Sequence, residues 1–476
     1  MDYKKLGFKA GLEIHQQLDT KKLFCSCPSL LRKDEPDFEV KRKLHAVAGE
    51  EGSIDLAVSY ESSLDKDFVY QGYDTTCLVE LDEEPPHQIN KEALKIALQV
   101  AVLLNCKILS LTQIMRKTVI DGSNTSGFQR SVLIGLNGHL ETKEGKIGIQ
   151  SIALEEYAAR IVERHKDKAV FRLDRLGIPL IEIATEPDIK TPEQAKEVAL
   201  QIGDILRSCK VKRGIGTIRQ DVNISIEKHP RVEIKGVQDM DTFIKVIENE
   251  IKRQQENVKN NSAVSEVRNA LPDATTEFLR PMPGSARMYP ETDLPLLKIH
   301  LDLINEAKRD LPKLKSEIEE ELRKQGLKEE IIKELLKRNK VEEFKALLKV
   351  VQNPSLIGNV LVLYTKEFAS KLKKSLEEVE SLIEEFASNV LLELKKDRIS
   401  ERDVKDILER IASGESLESA LNIEKAELGE LEERIHKIIK SKPGLSTNAY
   451  MGLVMKELRG KISGGDAMKI IQKFIH

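Results

Sequence analysis

Apolar and polar positions alternate with a period of two over several short segments in the first part of the chain. From Phe8 to Gln17, Phe8, Ala10, Leu12 and Ile14 fall on one side of an extended backbone and Gly11, Glu13, His15 and Gln17 on the other. This predicts a strand with one face in a core and a polar face too specific to serve only as a water-facing surface. Ile218 to Ile226 alternates in the same way, setting Ile218, Gln220, Val222, Ile224 and Ile226 against Arg219, Asp221, Asn223 and Ser225. Ile178 to Thr185 reads as a buried strand, and residues 94–104 and 192–206 as helices packed on such strands. Beyond about residue 296 the period becomes helical and the composition rich in Glu and Lys, predicting helices over 303–325, 328–338, 341–351 and 354–372. Ser400-Glu-Arg-Asp403 reads as a helix cap with an acidic first turn and marks a softer boundary. Strands before helices predict an α+β class.

Length and charge refine this picture. At about 150 residues per domain, 476 residues suggest three domains. The 40% hydrophobic content in periodic segments excludes a mainly disordered chain, and a net charge of −3 excludes a globally basic coat for nucleic acid. The average hides an asymmetry. Residues 401–440 hold seven Lys/Arg against eleven Asp/Glu, whereas 441–476 hold six against two, with Lys456, Arg459 and Lys461 near Gly460. On charge alone this basic end is as well explained by a solvated helix face as by contact with RNA. The N-terminus has no apolar stretch of signal-peptide type and no segment is long enough for a membrane span, so a cytoplasmic protein is expected. Five cysteines in a long chain suit reduced thiols; a zinc site at Cys25, Cys27 and Cys77 lacks the usual C-x-x-C spacing and an evident fourth ligand.

None of the short motifs for a P-loop, a zinc protease, a nucleophile elbow or a dinucleotide fold occurs. The informative residues are carboxylates in apolar settings. Glu13 and His15 share one face of a strand, and Glu182 interrupts Ile178-Pro-Leu-Ile-Glu-Ile-Ala-Thr185. A buried lone carboxylate costs several kcal/mol unless paired or metal-bound. Glu155 and Glu156 follow the apolar run 149–154 and would bring a third carboxylate. Oxygen donors with one imidazole suit Mg²⁺ or Mn²⁺, but from spacing alone a structural pair of Glu182 with Arg172 or Arg175 is the commoner arrangement. The loop Gly122-Ser-Asn-Thr-Ser-Gly127, entered past Arg116 and Lys117 and left before Arg130, reads either as a phosphate cradle or as an ordinary hairpin turn. Gly214-Ile-Gly216 leads into the strand that offers Arg219 to an anion and Asp221 or Asn223 to a metal or ribose.

Taken together, Gly11-Leu-Glu-Ile-His15, Met115 to Gly127, Leu173 to Asp188, Gly214 to Ile224, Val232-Glu-Ile-Lys-Gly-Val237 and Ala286 to Asp293 closely resemble the GatB/GatE family, whose members are components of tRNA-dependent amidotransferases. The resemblance spans nearly the whole chain, with six motifs in family order, and Tyr73 to His87 follows the wording of the archaeal E-type branch. Two features depart from it. An inserted domain similar to one in bacterial aspartyl-tRNA synthetases is replaced by a short connection between Gln255 and Leu271, and Tyr157 stands where relatives usually have Asp.

The resemblance implies a mixed-sheet, cradle-shaped catalytic domain over 1–296, a helical domain over 297–398 and a small helical tail over 399–476 that touches tRNA. It implies ATP-dependent transamidation of Glu-tRNA(Gln): the γ-carboxylate is phosphorylated and ammonia then displaces phosphate. It implies a metal on Glu13, His15, Glu156 and Glu182, with ATP and Mg²⁺ as cofactors. Lys117, Arg219, Asp221 and Ser123 are expected at phosphate or nucleotide, and Lys456 and Arg459 at tRNA. The implied partner is an asparaginase-like, ammonia-generating subunit in a heterotetramer with two copies of each. A B-type subunit of a three-subunit amidotransferase and a non-catalytic tRNA-binding scaffold are the alternatives.

Overall fold

The computed structural model describes residues 1–45, 52, 54, 56–283, 288–422, 428–458 and 464–475. It divides into two compact units, Met1–Lys315 and Ser316–His476. The first is built on an eleven-stranded mixed sheet. Its central strand, Lys9–Gln17, lies antiparallel between Pro179–Thr185 and Ile218–Ser225. Beyond Pro179–Thr185 come Gly145–Glu156, Phe128–Thr142, Ile114–Thr118 and Met288–Pro290; beyond Ile218–Ser225 come Val232–Lys235, Glu266–Ala270 and Thr276–Pro281. The pair Val232–Lys235 and Glu266–Ala270 is parallel.

The apolar face of this sheet forms the core. Phe8, Ala10, Leu12 and Ile14, with Val222 and Ile224, pack against the helices Lys91–Leu103, Pro192–Ser208 and Phe243–Lys259. Two of those helices start where the side chains require. Asn90 accepts from the amides of Glu92 and Ala93, and Thr191 accepts from that of Gln194 just before Pro192. A smaller four-stranded sheet, from Phe38–Arg42, Asp67–Gly72, Lys168–Arg172 and Arg160–Arg164, holds its own cluster around Phe68, Tyr70 and Phe171.

The second unit is helical. Helices Glu329–Lys337, Val341–Val350, Leu376–Lys395 and Glu401–Ser413 share one core, and Leu428–Ser441, Thr447–Glu457 and Gly464–Ile475 share another. The cap expected at Ser400 is a capping box with Asp403. Two helices differ from expectation. The run expected over 303–325 is broken into Leu301–Arg309 and Lys315–Lys324, because Pro312 supplies no amide for a continuous helix. The run from Pro354 contains a π-helical segment, Asn359–Tyr364, after which the Thr365 hydroxyl donates to the carbonyls of Leu361 and Val362. Among the described residues no helix is long and apolar enough to cross a membrane.

Candidate active site

The polar face of the large sheet is the floor of a cleft of about 730 Å³. Alternation and register together decide which side chains reach it. His15 lies opposite Glu182 on one side and Arg219 on the other, and Glu13 lies opposite Asp221. Each of these residues occupies the outward parity of a strand whose other parity is core. His15 Nε2 is 3.2 Å from Glu13 Oε1 and 3.2 Å from Glu182 Oε2. Glu155 enters from Gly145–Glu156, where Lys117 Nζ donates to it at 2.8 Å and Gln129 Nε2 at 3.2 Å; Lys117 Nζ is also 3.6 Å from Glu182. Arg172 and Arg175 are not the partners of Glu182: Arg172 donates to Gln71, and Arg175 to the carbonyls of Ala158 and Ala159.

Electrostatics follow from this crowding. Burial works to raise the Glu13 carboxyl, but the His15 hydrogen bond and charge, with Lys235 and Lys117, bring it down to about 2. Burial would lower His15, yet its bonds to Glu13 and Glu182 push it up to about 10. Glu182 is raised by burial and by the charge of Glu155; Glu155, although buried, is lowered by Lys117.

A hard divalent cation fits this floor. One oxygen each from Glu13 and Glu182 and one His15 nitrogen lie within 4.8 Å of one another, and Glu155 adds a further carboxylate nearby. His15 Nδ1 is buried without a hydrogen-bond partner and its Nε2 faces the Glu13 and Glu182 carboxylates at once, so one imidazole nitrogen and two carboxylate oxygens converge on one point. On the other wall, Lys235 Nζ bridges Asp221 at 2.9 Å and Glu233 at 2.6 Å, while the Gly236 amide donates to Asp221 at 3.1 Å. Asp221 is therefore already engaged by a cation. Arg231, Asn269, Glu277 and Arg280 complete the rim. Asn269, Glu277 and Arg280 come from short strands and Arg231 directly precedes Val232–Lys235; their sequences show no chemistry-bearing spacing, and only the fold brings them to the cleft.

Two residues expected at the metal or the nucleotide, Glu156 and Ser123, stand elsewhere. Glu156, one residue beyond Glu155, has the opposite parity: it is buried against Arg130, whose amide donates to it at 3.2 Å. The carboxylate that this strand brings to Glu182 is thus Glu155. Ser123 is absent from the cleft lining, because its amide and hydroxyl both turn back to Asp121 at 2.9 and 2.6 Å. Gly122 in that loop is pressed on Phe68 so closely that a Cβ would lie 2.2 Å from the ring, and its φ is +89°. This loop is a packed turn rather than an open cradle. Lys456 is exposed near the end of Thr447–Glu457, and Arg459 lies outside the described residues.

A second set of donors lies in the same unit. Cys25, Cys27, Cys77 and Glu80 place one ligand atom each within 4.8 Å of the others. Glu80 is the fourth group that the spacing did not announce; it also pairs with the buried Lys22 and accepts from the Cys77 amide at 2.9 Å. Hydrogen bonds from Cys25 and Cys27 hold the Cys77 thiol down to about 3. Three sulfurs and a carboxylate suit a soft ion such as zinc.

A carboxylate floor with an imidazole, flanked by Lys117 and Arg219 on a mixed sheet, gathers both signs of charge in one polar cleft. The family model for the GatB/GatE catalytic domain matches residues 8–305, and the chain belongs to that family. The E subunit of glutamyl-tRNA(Gln) amidotransferase from Methanocaldococcus jannaschii is 37% identical over 627 aligned positions, covering 99% of this chain and 99% of the relative. Its counterpart from Methanothermobacter thermautotrophicus is 35% identical, over 95% and 94% of the two chains. The counterpart from Methanococcus maripaludis strain C5 is 50% identical over 300 positions, 62% of this chain and 46% of the relative. Because 627 aligned positions exceed the 476 residues of this chain, the first relative has residues with no counterpart here.

Proposed function

We propose that the cleft catalyses ATP-dependent conversion of Glu-tRNA(Gln) to Gln-tRNA(Gln), as the component of the amidotransferase that activates the tRNA-bound glutamate. The observation that carries this reading is the meeting of Glu13, His15, Glu155 and Glu182 with Lys117 and Arg219 on one floor. A carboxylate resists attack by ammonia because its charge must be displaced with a poor leaving group. Transfer of the γ-phosphoryl group of ATP to the glutamate γ-carboxylate gives ADP and an acyl phosphate. Ammonia then adds to the acyl carbon, phosphate leaves, and the amide remains on the tRNA.

The protein's part is positioning and charge neutralisation. Lys117, held by Glu155 and next to Glu182, presents an ammonium where phosphate oxygens arrive, and Arg219 does so from the neighbouring strand. Glu13, His15, Glu155 and Glu182 would hold Mg²⁺, which when bound supplies positive charge to the phosphate chain. The imidazole of His15 gives up its proton when it serves as a ligand. Relatives that match nearly the whole chain bear the E-type name, which favours this reading over a B-type protein or a scaffold. Ammonia is supplied by a separate protein of asparaginase-like chemistry, in a heterotetramer with two copies of each chain. The exposed Lys456, with Arg459 beyond the described helix, extends the contact to the tRNA body.

The test is ADP formation by the full chain with ATP, Mg²⁺, ammonium and Glu-tRNA(Gln). Wild type forms ADP only when the charged tRNA is present, Glu13→Gln loses at least about 100-fold in rate, and Lys456→Ala raises the tRNA concentration required without changing that for ATP. ADP formation indifferent to Glu-tRNA(Gln), or intact in Glu13→Gln, contradicts the reading.

A further inference from the structure

Tyr157 follows Glu155 by two residues, on the same side of the chain, and is buried behind the cleft wall at 4% exposure. Its backbone is pinned on both sides, with its amide donating to Ile178 O at 2.8 Å and its carbonyl accepting from Gly177 N at 2.9 Å. Its ring packs with Ile178 and Leu180. Two guanidinium groups sit on that ring. The Arg175 Cζ is 4.2 Å from the ring centroid and the Arg219 Cζ 4.7 Å. They differ in what their edges do. Arg175 spends its N–H groups on the carbonyls of Ala158 and Ala159, at 2.9 and 2.7 Å, and is part of the framework. Arg219 is exposed, lines the cleft, and has no carboxylate partner among the described residues.

A guanidinium held over a ring is oriented without an ionic partner, so its charge is not cancelled. The strand register sets Arg219 opposite His15 and the residue lines the cleft, so its charge belongs to the site proposed for the phosphate chain. We infer that Tyr157 is a positioning residue for nucleotide binding: it is the platform that holds Arg219 with its charge available to the phosphates of ATP. This inference rests on the functional reading above.

The experiment measures equilibrium binding of a non-hydrolysable ATP analogue with Mg²⁺ to the full chain, together with KM for ATP and for Glu-tRNA(Gln) in ADP formation. Tyr157→Phe keeps the ring and binds as wild type. Tyr157→Leu weakens analogue binding and raises KM for ATP roughly 2- to 5-fold, the span of a lost cation–ring contact at an exposed guanidinium, with KM for tRNA unchanged. In an Arg219→Ala background the Leu substitution has no measurable further effect, because the group it positions is gone. Tyr157→Met is a second non-aromatic variant, and thermal unfolding of each confirms a folded chain. Analogue binding unchanged in both non-aromatic variants, or a loss that persists undiminished beside Arg219→Ala, overturns the inference. Failure of the functional reading shows itself differently, as the absence of tRNA-dependent ADP formation in wild type while analogue binding still responds to Tyr157.

Discussion

Glu155 and Glu156 are adjacent carboxylates on one strand, and the parity of that strand gives them different chemistry. Glu155 faces Lys117 and Glu182 in the cleft; Glu156 is sealed under Arg130, its carboxyl pushed up by burial despite that cation. Glu155→Gln should therefore lower ADP formation about 100-fold or more, through lost charge on the floor. Glu156→Gln should leave catalysis within roughly tenfold and cost about 1–3 kcal/mol of stability, because Arg130 stays buried with a weaker partner. Steady-state assay and urea unfolding of the two variants separate these effects, and the reverse pattern would return Glu156 to the site. The sequence made Glu13, His15, Arg219 and Asp221 legible, since each sits in a long clean alternation whose apolar parity identifies the core. It could not choose between two consecutive glutamates at a strand end. That choice comes from non-local pairing, in which Glu155 lies opposite Leu180 and Ser131. Ser123 was illegible for a related reason: Phe68, against which its loop packs, is distant in sequence.

At the scale of elements, the strand Met288–Pro290 closes one edge of the sheet against Ile114–Thr118. Just beyond it, the fully buried Glu291 carboxylate accepts from Arg116 at 2.5 Å and from Arg130 at 2.7 Å. Burial alone would raise this carboxyl; the hydrogen bonds from Arg116, the Asp293 amide and Arg130 hold it below the usual range. A carboxyl depressed in the folded state stabilises the fold fully above its unfolded pKa of about 4.3, and the contribution is lost as pH falls toward the lower folded value. Glu291→Gln should thus lower the melting temperature at neutral pH and flatten its acid limb below about pH 4 to 5. A melting profile parallel to wild type at all pH values would remove the pair from this role. Helix and strand identities were readable from period, whereas the break at Pro312 and the π-helical segment were not anticipated from a continuous apolar pattern. In the first case the proline outweighs an amphipathic run; in the second, Thr365 bonding to two carbonyls accommodates the extra residue.

For the whole molecule, the net charge of −3 proved the least informative number, because charge is distributed by function. The catalytic unit gathers both signs in one cleft, and the basic end falls within the last helices of the second unit. The short connection after Phe243–Lys259 leads directly into Glu266–Ala270. There Asn269, Ala270 and Leu271 line the cleft, and the turn is closed by Leu271 N to Thr275 O and Ala274 N to Leu271 O, each at 2.9 Å. The sheet is thus complete without an inserted domain at that point. In the proposed reaction this cleft joins phosphate to the tRNA-bound γ-carboxylate before nitrogen arrives. Glu-tRNA(Gln) labelled with heavy oxygen in that carboxylate, incubated with the enzyme, ATP, Mg²⁺ and ammonium, tests it most directly. The phosphate released as Gln-tRNA(Gln) forms should carry one labelled oxygen, whereas unlabelled phosphate accompanying amide formation would rule the acyl phosphate out.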